Sequence, residues 1–94
     1  MPLPQDAIVQ QSPSCLAANV QDDMVLMSIE RGQYVALDPI GKDIWERLAT
    51  PCRVDALCRA MVADYDADEA VITADVLEFL DKLRDVDAML VTGA

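Results

Sequence analysis

Three cysteines, Cys15, Cys52 and Cys58, and an acidic run, Asp64, Asp66, Asp68 and Glu69, are the first candidates for chemistry in this chain. The cysteines lack C-x-x-C spacing and the sequence contains no histidine, so the usual Cys/His zinc constellations fail. The acidic run resembles a calcium loop without its central glycine or its late bidentate glutamate. Helix capping and solvation account for those carboxylates better. Ser12, Ser14 and Ser28 have no base partner, since general acid–base work at neutral pH most often uses histidine. Gly32, Gly41 and Gly93 are isolated, so no phosphate-cradling loop is present. No catalytic residue, metal or cofactor is therefore expected. Cys58 falls on an apolar helix face and reads as a small core residue. An odd set of unpaired thiols fits a reduced, cytoplasmic protein.

Charge narrows the partners. Seventeen acidic residues face seven basic ones, a net of −10 over 94 residues. Binding a phosphate backbone requires Lys and Arg, and no basic face is available. The acidity itself serves solubility or favours neutral and basic partners. The N-terminus "MPLPQDAIVQQSP" lacks the basic start and apolar run of a signal peptide. No apolar stretch approaches the ~20 residues of a membrane span. Hydrophobic residues are 53% of the chain, enough for one modest core.

The elements that would carry a site follow from pattern. Residues 1–13, with three prolines, read as a flexible arm in which Ile8 and Val9 could dock onto the body. "CLAANV" (15–20) reads as a first strand, "QDD" (21–23) as a turn and "MVLMSIE" (24–30) as a second strand. Arg31-Gly32 supplies a hairpin turn, and "QYVALD" (33–38) returns. Pairing Glu30 with Gln33 sets Ile29 opposite Tyr34 and Leu26 opposite Leu37. Val25, Met27, Ile29, Tyr34 and Ala36 then share one face, and Leu26, Ser28, Val35 and Leu37 the other. Both faces are apolar, so each must be covered or one must be a docking surface. The Val35 amide is read as facing the free edge, with Ala36 as its alternate.

Asp38-Pro39 opens a helix: the Asp carboxylate caps free amides, and Pro at the first position needs no donor. Ile40, Ile44, Trp45 and Leu48 form its apolar face, and "ATP" (49–51) ends it. A second helix runs from Val54 to Asp64 with Val54, Leu57, Cys58, Met61 and Val62 inward. Asp68 caps a third that reaches Val86, with Ile72, Val76, Phe79, Leu80 and Leu83 as its stripe. "AMLV" (88–91) is a short docked segment. The expected fold is α+β: a three-stranded antiparallel sheet followed by three helices, close to a winged helix-turn-helix. The third helix does not suit a DNA groove. Glu69, Asp75, Glu78, Asp81, Asp85 and Asp87 oppose only Lys82 and Arg84 there. What remains is a binding module. The 33–38 strand has no Lys, Pro or bulge to blunt its outer edge, so it is either covered or open to a peptide that adds a strand.

"MVLMSIERGQYVALDPIGKDIWERL", followed by "DALCRAMVADYDADEAVITADVLEFLDKLRD", resembles the PqqD-like family of peptide chaperones, the recognition elements of ribosomal peptide natural-product pathways. The pattern is an apolar strand, G-x-Y-x-x-L-(N/D), a helix with I-W-x-x-L, and a distal D-V-x-x-F-L-x-x-L. It falls on Gly32, Tyr34, Leu37, Asp38, Ile44, Trp45, Leu48, Asp75, Val76, Phe79, Leu80 and Leu83, and the resemblance covers roughly residues 15–91. The family's commoner Asn at the cap is Asp38 here, and both residues cap. The size and "DPIGKDIW" look most like the stand-alone leader-binding proteins of lasso-peptide biosynthesis.

The resemblance implies that residues 14–94 form a winged-helix domain that binds a precursor's leader peptide antiparallel to the third strand. The domain would deliver it to a separate leader peptidase, a cysteine protease, and to an ATP-dependent cyclase. Carried onto this chain, the binding residues are Gln33, Tyr34, Val35, Ala36 and Leu37 on the strand, with Val71, Asp75, Val76, Phe79 and Lys82 on the third helix. Leu37, Val76 and Phe79 serve equally as core, and Asp75 equally as a solvated acid. A protein that is not an enzyme, a monomer or weak homodimer with no nucleic-acid or membrane partner, is expected. An acidic winged-helix regulator or adaptor is the alternative.

Overall fold

The computed structural model describes residues 4–21 and 23–92. The start of the N-terminal arm, Asp22 of the 21–23 turn and Gly93 lie outside the described residues. Six strands and three helices follow in the order β1 (Ile8–Gln11), β2 (Cys15–Val20), β3 (Asp23–Ser28), β4 (Gln33–Leu37), α1 (Pro39–Arg47), β5 (Cys52–Arg53), α2 (Val54–Tyr65), α3 (Glu69–Asp85) and β6 (Met89–Thr92). They form two three-stranded antiparallel sheets, β2-β3-β4 and β5-β1-β6.

The first sheet and the three helices match expectation. The hairpin register does not. Ser28 pairs with Gln33 and Met27 with Tyr34, two residues away from the expected alignment. The favoured two-residue hairpin turns, types I′ and II′, would both need positive φ at the first central residue, Arg31. Only Gly32 has it, at 63°, so the loop takes in Ile29–Gly32 and the Gly32 amide donates to the Ser28 carbonyl at 2.8 Å. A shift of two preserves the faces, because side chains alternate with period two. Met24, Leu26, Ser28 and Leu37 are buried on the inner face.

Part of the segment read as a flexible arm, residues 1–13, lies in the second sheet. Residues 8–11 are a central strand, and Val9 is fully buried between Cys52 and Val91. The polar residues of this segment are tied down as well. Gln11 donates from its side chain to the Trp45 carbonyl at 2.8 Å and from its amide to Leu48 at 2.9 Å. Ser12 donates its amide to Ala88 at 2.9 Å. The 88–91 segment, read as a short docked segment, supplies Met89, Leu90 and Val91 of β6.

The caps behave as their chemistry requires. The Asp38 carboxylate accepts from the Gly41 amide at 2.7 Å, and Asp68 accepts from Ala70 at 2.9 Å. Asp66 takes a left-handed backbone to end α2. Within the acidic run Asp68 caps α3, Asp66 ends α2 and Asp64 pairs with Arg47. Ile44, Leu48, Val54, Met61, Val76, Leu80 and Leu83 fill the core between the helices and both sheets. Among the described residues no helix is long and apolar enough to cross a membrane.

Candidate functional site: an open strand edge beneath the third helix

Among the described residues β4 ends its sheet, pairing with β3 alone. Which of its backbone groups point outward follows from the other side of the sheet. The Ile29 amide donates to the Ser14 carbonyl on the β2 side at 3.1 Å. Backbone groups alternate direction along a strand, so those of Met24, Leu26 and Ser28 turn toward β4. Their partners Leu37, Val35 and Gln33 are spent on β3. The N–H and C=O groups of Tyr34 and Ala36 face the open edge. Ala36, rather than Val35, therefore presents the outward amide.

The edge borders a groove of about 540 Å³ lined by Gln33, Tyr34, Val35, Ala36, Lys82 and Val86. Val35 and Val86 are half-buried and give it an apolar floor, while Gln33 and Lys82 are exposed at the rim. Val86 was not expected. Its signal in the sequence is its position four residues after Lys82, which continues the flank 71, 75, 79, 82. Phe79, one turn before Lys82, lies just past the end of β4, its ring against Gly41. α3 therefore runs opposite to β4 along the groove.

The remaining expected site residues fall elsewhere. Leu37 and Val76 are core, at 3% and 1% exposure. Val71 and Asp75 are exposed on the same flank of α3 as Phe79, outside the groove lining. On the opposite flank, Thr73 and Leu77 line a second concavity of about 500 Å³ between α2 and α3, with Val54, Cys58 and Val62. Burial pushes the Cys58 thiol above its usual pKa, against a hydrogen bond with Thr73, which leaves it a poor nucleophile. Ser12 and Ser14 bond each other through their hydroxyls at 2.9 Å.

The outer face of β2-β3-β4 is turned away from the helices. Leu16, Ala18, Val20, Val25, Met27, Tyr34 and Ala36 share it, and Tyr34 is 71% exposed. Leu16 and Val20 are exposed too. The two apolar sheet faces therefore differ: the helices cover one, and among the described residues the other carries exposed Leu16, Val20 and Tyr34.

Residues 23–88, the hairpin, all three helices and the start of the last segment, match the family described as coenzyme PQQ synthesis protein D (PqqD). The chain belongs to the PqqD family. Solved structures agree with this PqqD architecture. TbiB1 in complex with the TbiA(beta) leader peptide superposes with a TM-score of 0.74 at 28% identity, covering 85% of this chain and 93% of that one. Lasso peptide synthetase B1 complexed with the leader peptide gives 0.73 at 18% identity, over 87% and 96%. The PqqD truncation of Methylobacterium extorquens PqqCD, a stand-alone recognition element for ribosomally synthesised and post-translationally modified peptides, gives 0.70 at 20% identity, over 88% of each chain. No curated protein gives a significant sequence match.

Proposed function

We propose that this PqqD-family protein binds the leader peptide of a ribosomally made precursor, in a lasso-peptide pathway, and hands the precursor to separate enzymes. The carrying observation is the unblunted edge of β4, with two residues' backbone groups unspent, above a groove walled by α3. A leader strand laid antiparallel on that edge completes the ladder through Tyr34 and Ala36 and sends alternate side chains toward Val35 and Val86. Two of the similar structures are leader-peptide complexes, which supports the same use here. Gln33, Tyr34, Val35, Ala36 and Lys82 line the groove, and Phe79, outside that lining, packs against Gly41 one turn before Lys82. Leu37 and Val76 support these residues from the core, and Val71 and Asp75 extend the same flank for a longer leader.

The protein is a cytoplasmic adaptor and not a catalyst. We read residues 14–94 as the binding domain, with β2-β3-β4 as the wing of a winged helix-turn-helix-like unit and β1 as its N-terminal brace. The leader peptidase and the ATP-dependent cyclase are the partners that act on the bound precursor. The open outer face of β2-β3-β4 remains uncovered when the groove is filled, and we assign it to docking one of them. The test is calorimetric titration with the synthetic leader of a precursor encoded beside this chain. One-to-one binding that Ala36→Pro abolishes in a folded protein is expected. A leader bound equally well by that variant overturns edge pairing.

A further inference from the structure

Lys82 lines the leader groove with Gln33, Tyr34, Val35, Ala36 and Val86, and it is the one cation in that lining. Acids flank it on its own helix, Glu78 one turn before and Asp85 nearly one turn after. Yet among the described residues Lys82 makes no ion pair. Arg31, Arg47, Arg53 and Arg84 do, with Asp87, Asp43, Asp55 and Asp81, while Lys42 and Arg59, which lie outside the groove lining, likewise pair with no acid among the described residues. In a chain of net charge −10, a cation left unpaired at the groove stands out against its surroundings. The long-range field of this protein repels acidic peptides. At physiological salt that field decays over ~8 Å, whereas a contact pair is screened much less. The local cation therefore decides at its own position.

Spacing then fixes a pattern. Val86, the C-cap of α3, follows Lys82 by four residues, a rise of about 6 Å at helical spacing. Two residues of a strand advance about 6.8 Å, so consecutive groove-facing side chains of an added strand match those two positions. α3 runs opposite to β4, and an antiparallel leader runs opposite to β4 as well. The leader thus runs parallel to α3 and passes Lys82 before Val86.

Resting on the leader-binding reading above, we infer that Lys82 is a charge-selecting residue, and that the bound leader carries an acidic residue two positions before an apolar one. The carboxylate meets the Lys82 ammonium, and the apolar side chain enters between Val35 and Val86. A basic residue at the first position is rejected.

A displayed library of random twelve-residue peptides, sorted on the fluorescently labelled protein, tests this whatever the sequence of the natural leader. Wild-type protein should enrich Asp/Glu-x-apolar peptides. Lys82→Glu should enrich Lys/Arg-x-apolar peptides instead. Synthetic versions of one enriched peptide, carrying Glu or Lys at the first position, should differ about three- to tenfold in affinity for wild type. That preference should invert for Lys82→Glu and fade at 1 M salt. Peptides that bind wild type and lose binding with Ala36→Pro, but show no charge preference at any position, overturn this inference and leave leader binding standing. Failure to enrich any peptide sensitive to Ala36→Pro overturns the leader-binding reading, and this inference with it.

Discussion

The ring of Phe79 on α3 lies against Gly41 in the first turn of α1: a Cβ placed on Gly41 would stand 3.1 Å from the Phe79 Cε1. The same Cβ would stand 3.1 Å from the Asp38 carboxylate that caps the helix. Gly41 is thus the point at which the Asp38 cap, the start of α1 and the Phe79 ring of α3 are held together. Two effects compete on Gly41→Ala. Ala gains about 1 kcal/mol of helix propensity. Crowding a packed contact costs about 1–3 kcal/mol, and here ring and cap are pressed together. We expect net destabilisation of about 1 kcal/mol. Adding Phe79→Leu should recover part of it, so the two substitutions should be non-additive in a denaturant cycle.

Proline scanning separates the two sides of β4. The Ala36 amide faces the open edge, so Ala36→Pro should stay folded and lose leader binding by tenfold or more. The Val35 amide is spent on β3, so Val35→Pro should break the ladder and lower the unfolding free energy by a few kcal/mol. Circular dichroism and calorimetry read both outcomes. Equal folding losses in the two variants would refute the assignment of the outward amides.

The outer face of β2-β3-β4 should matter to processing and not to leader affinity. Leu16 is exposed on that face, away from the groove. Leu16→Lys should leave the titration with synthetic leader unchanged within about twofold. It should slow cleavage of the full precursor by the peptidase about tenfold, because a docked ammonium would be buried without a partner. Unchanged cleavage would remove this face from the docking surface.

A network ties α1 to α2. Arg47 donates to Asp43 at 2.9 Å and also to Asp64, and the Tyr65 hydroxyl donates to Asp43 at 2.7 Å. The Arg47 guanidinium, and then the Tyr65 hydroxyl, hold the Asp43 carboxyl below the usual carboxylate pKa. A lowered folded-state value means that the stabilisation is complete above the unfolded pKa, about 3.9, and is lost as pH falls through the folded value. Asp43→Asn should lower stability by about 0.5–1 kcal/mol at pH 7, since the network is partly solvated. Thermal melts of the two proteins should converge toward pH 2. A constant gap across that range would show that packing, not charge, sets the difference.

Local chemistry was legible in the sequence. Asp38-Pro39 and Asp68 specified helix starts through capping, which depends on neighbours in the chain alone. The apolar stripes of α2 and α3 named their buried residues, because a helix turns the same way wherever it lies. Period two named both faces of the hairpin and survived a register error of two. The ordered motif from Gly32 to Leu83 named the family. The second sheet was not legible. Its central strand is four residues long and pairs Ile8 with Thr92 at the other end of the chain, so nothing beside it in the sequence signals a partner. The hairpin register waited on the φ of Gly32, and the outward amides of Tyr34 and Ala36 on a bond between Ser14 and Ile29. The groove itself was decided by how α3 crosses β4, which put Val86 on the floor, Lys82 at the rim and Val71 and Asp75 beyond it. Helical spacing fixes a flank of residues, but only packing against another element chooses which part of that flank faces a ligand.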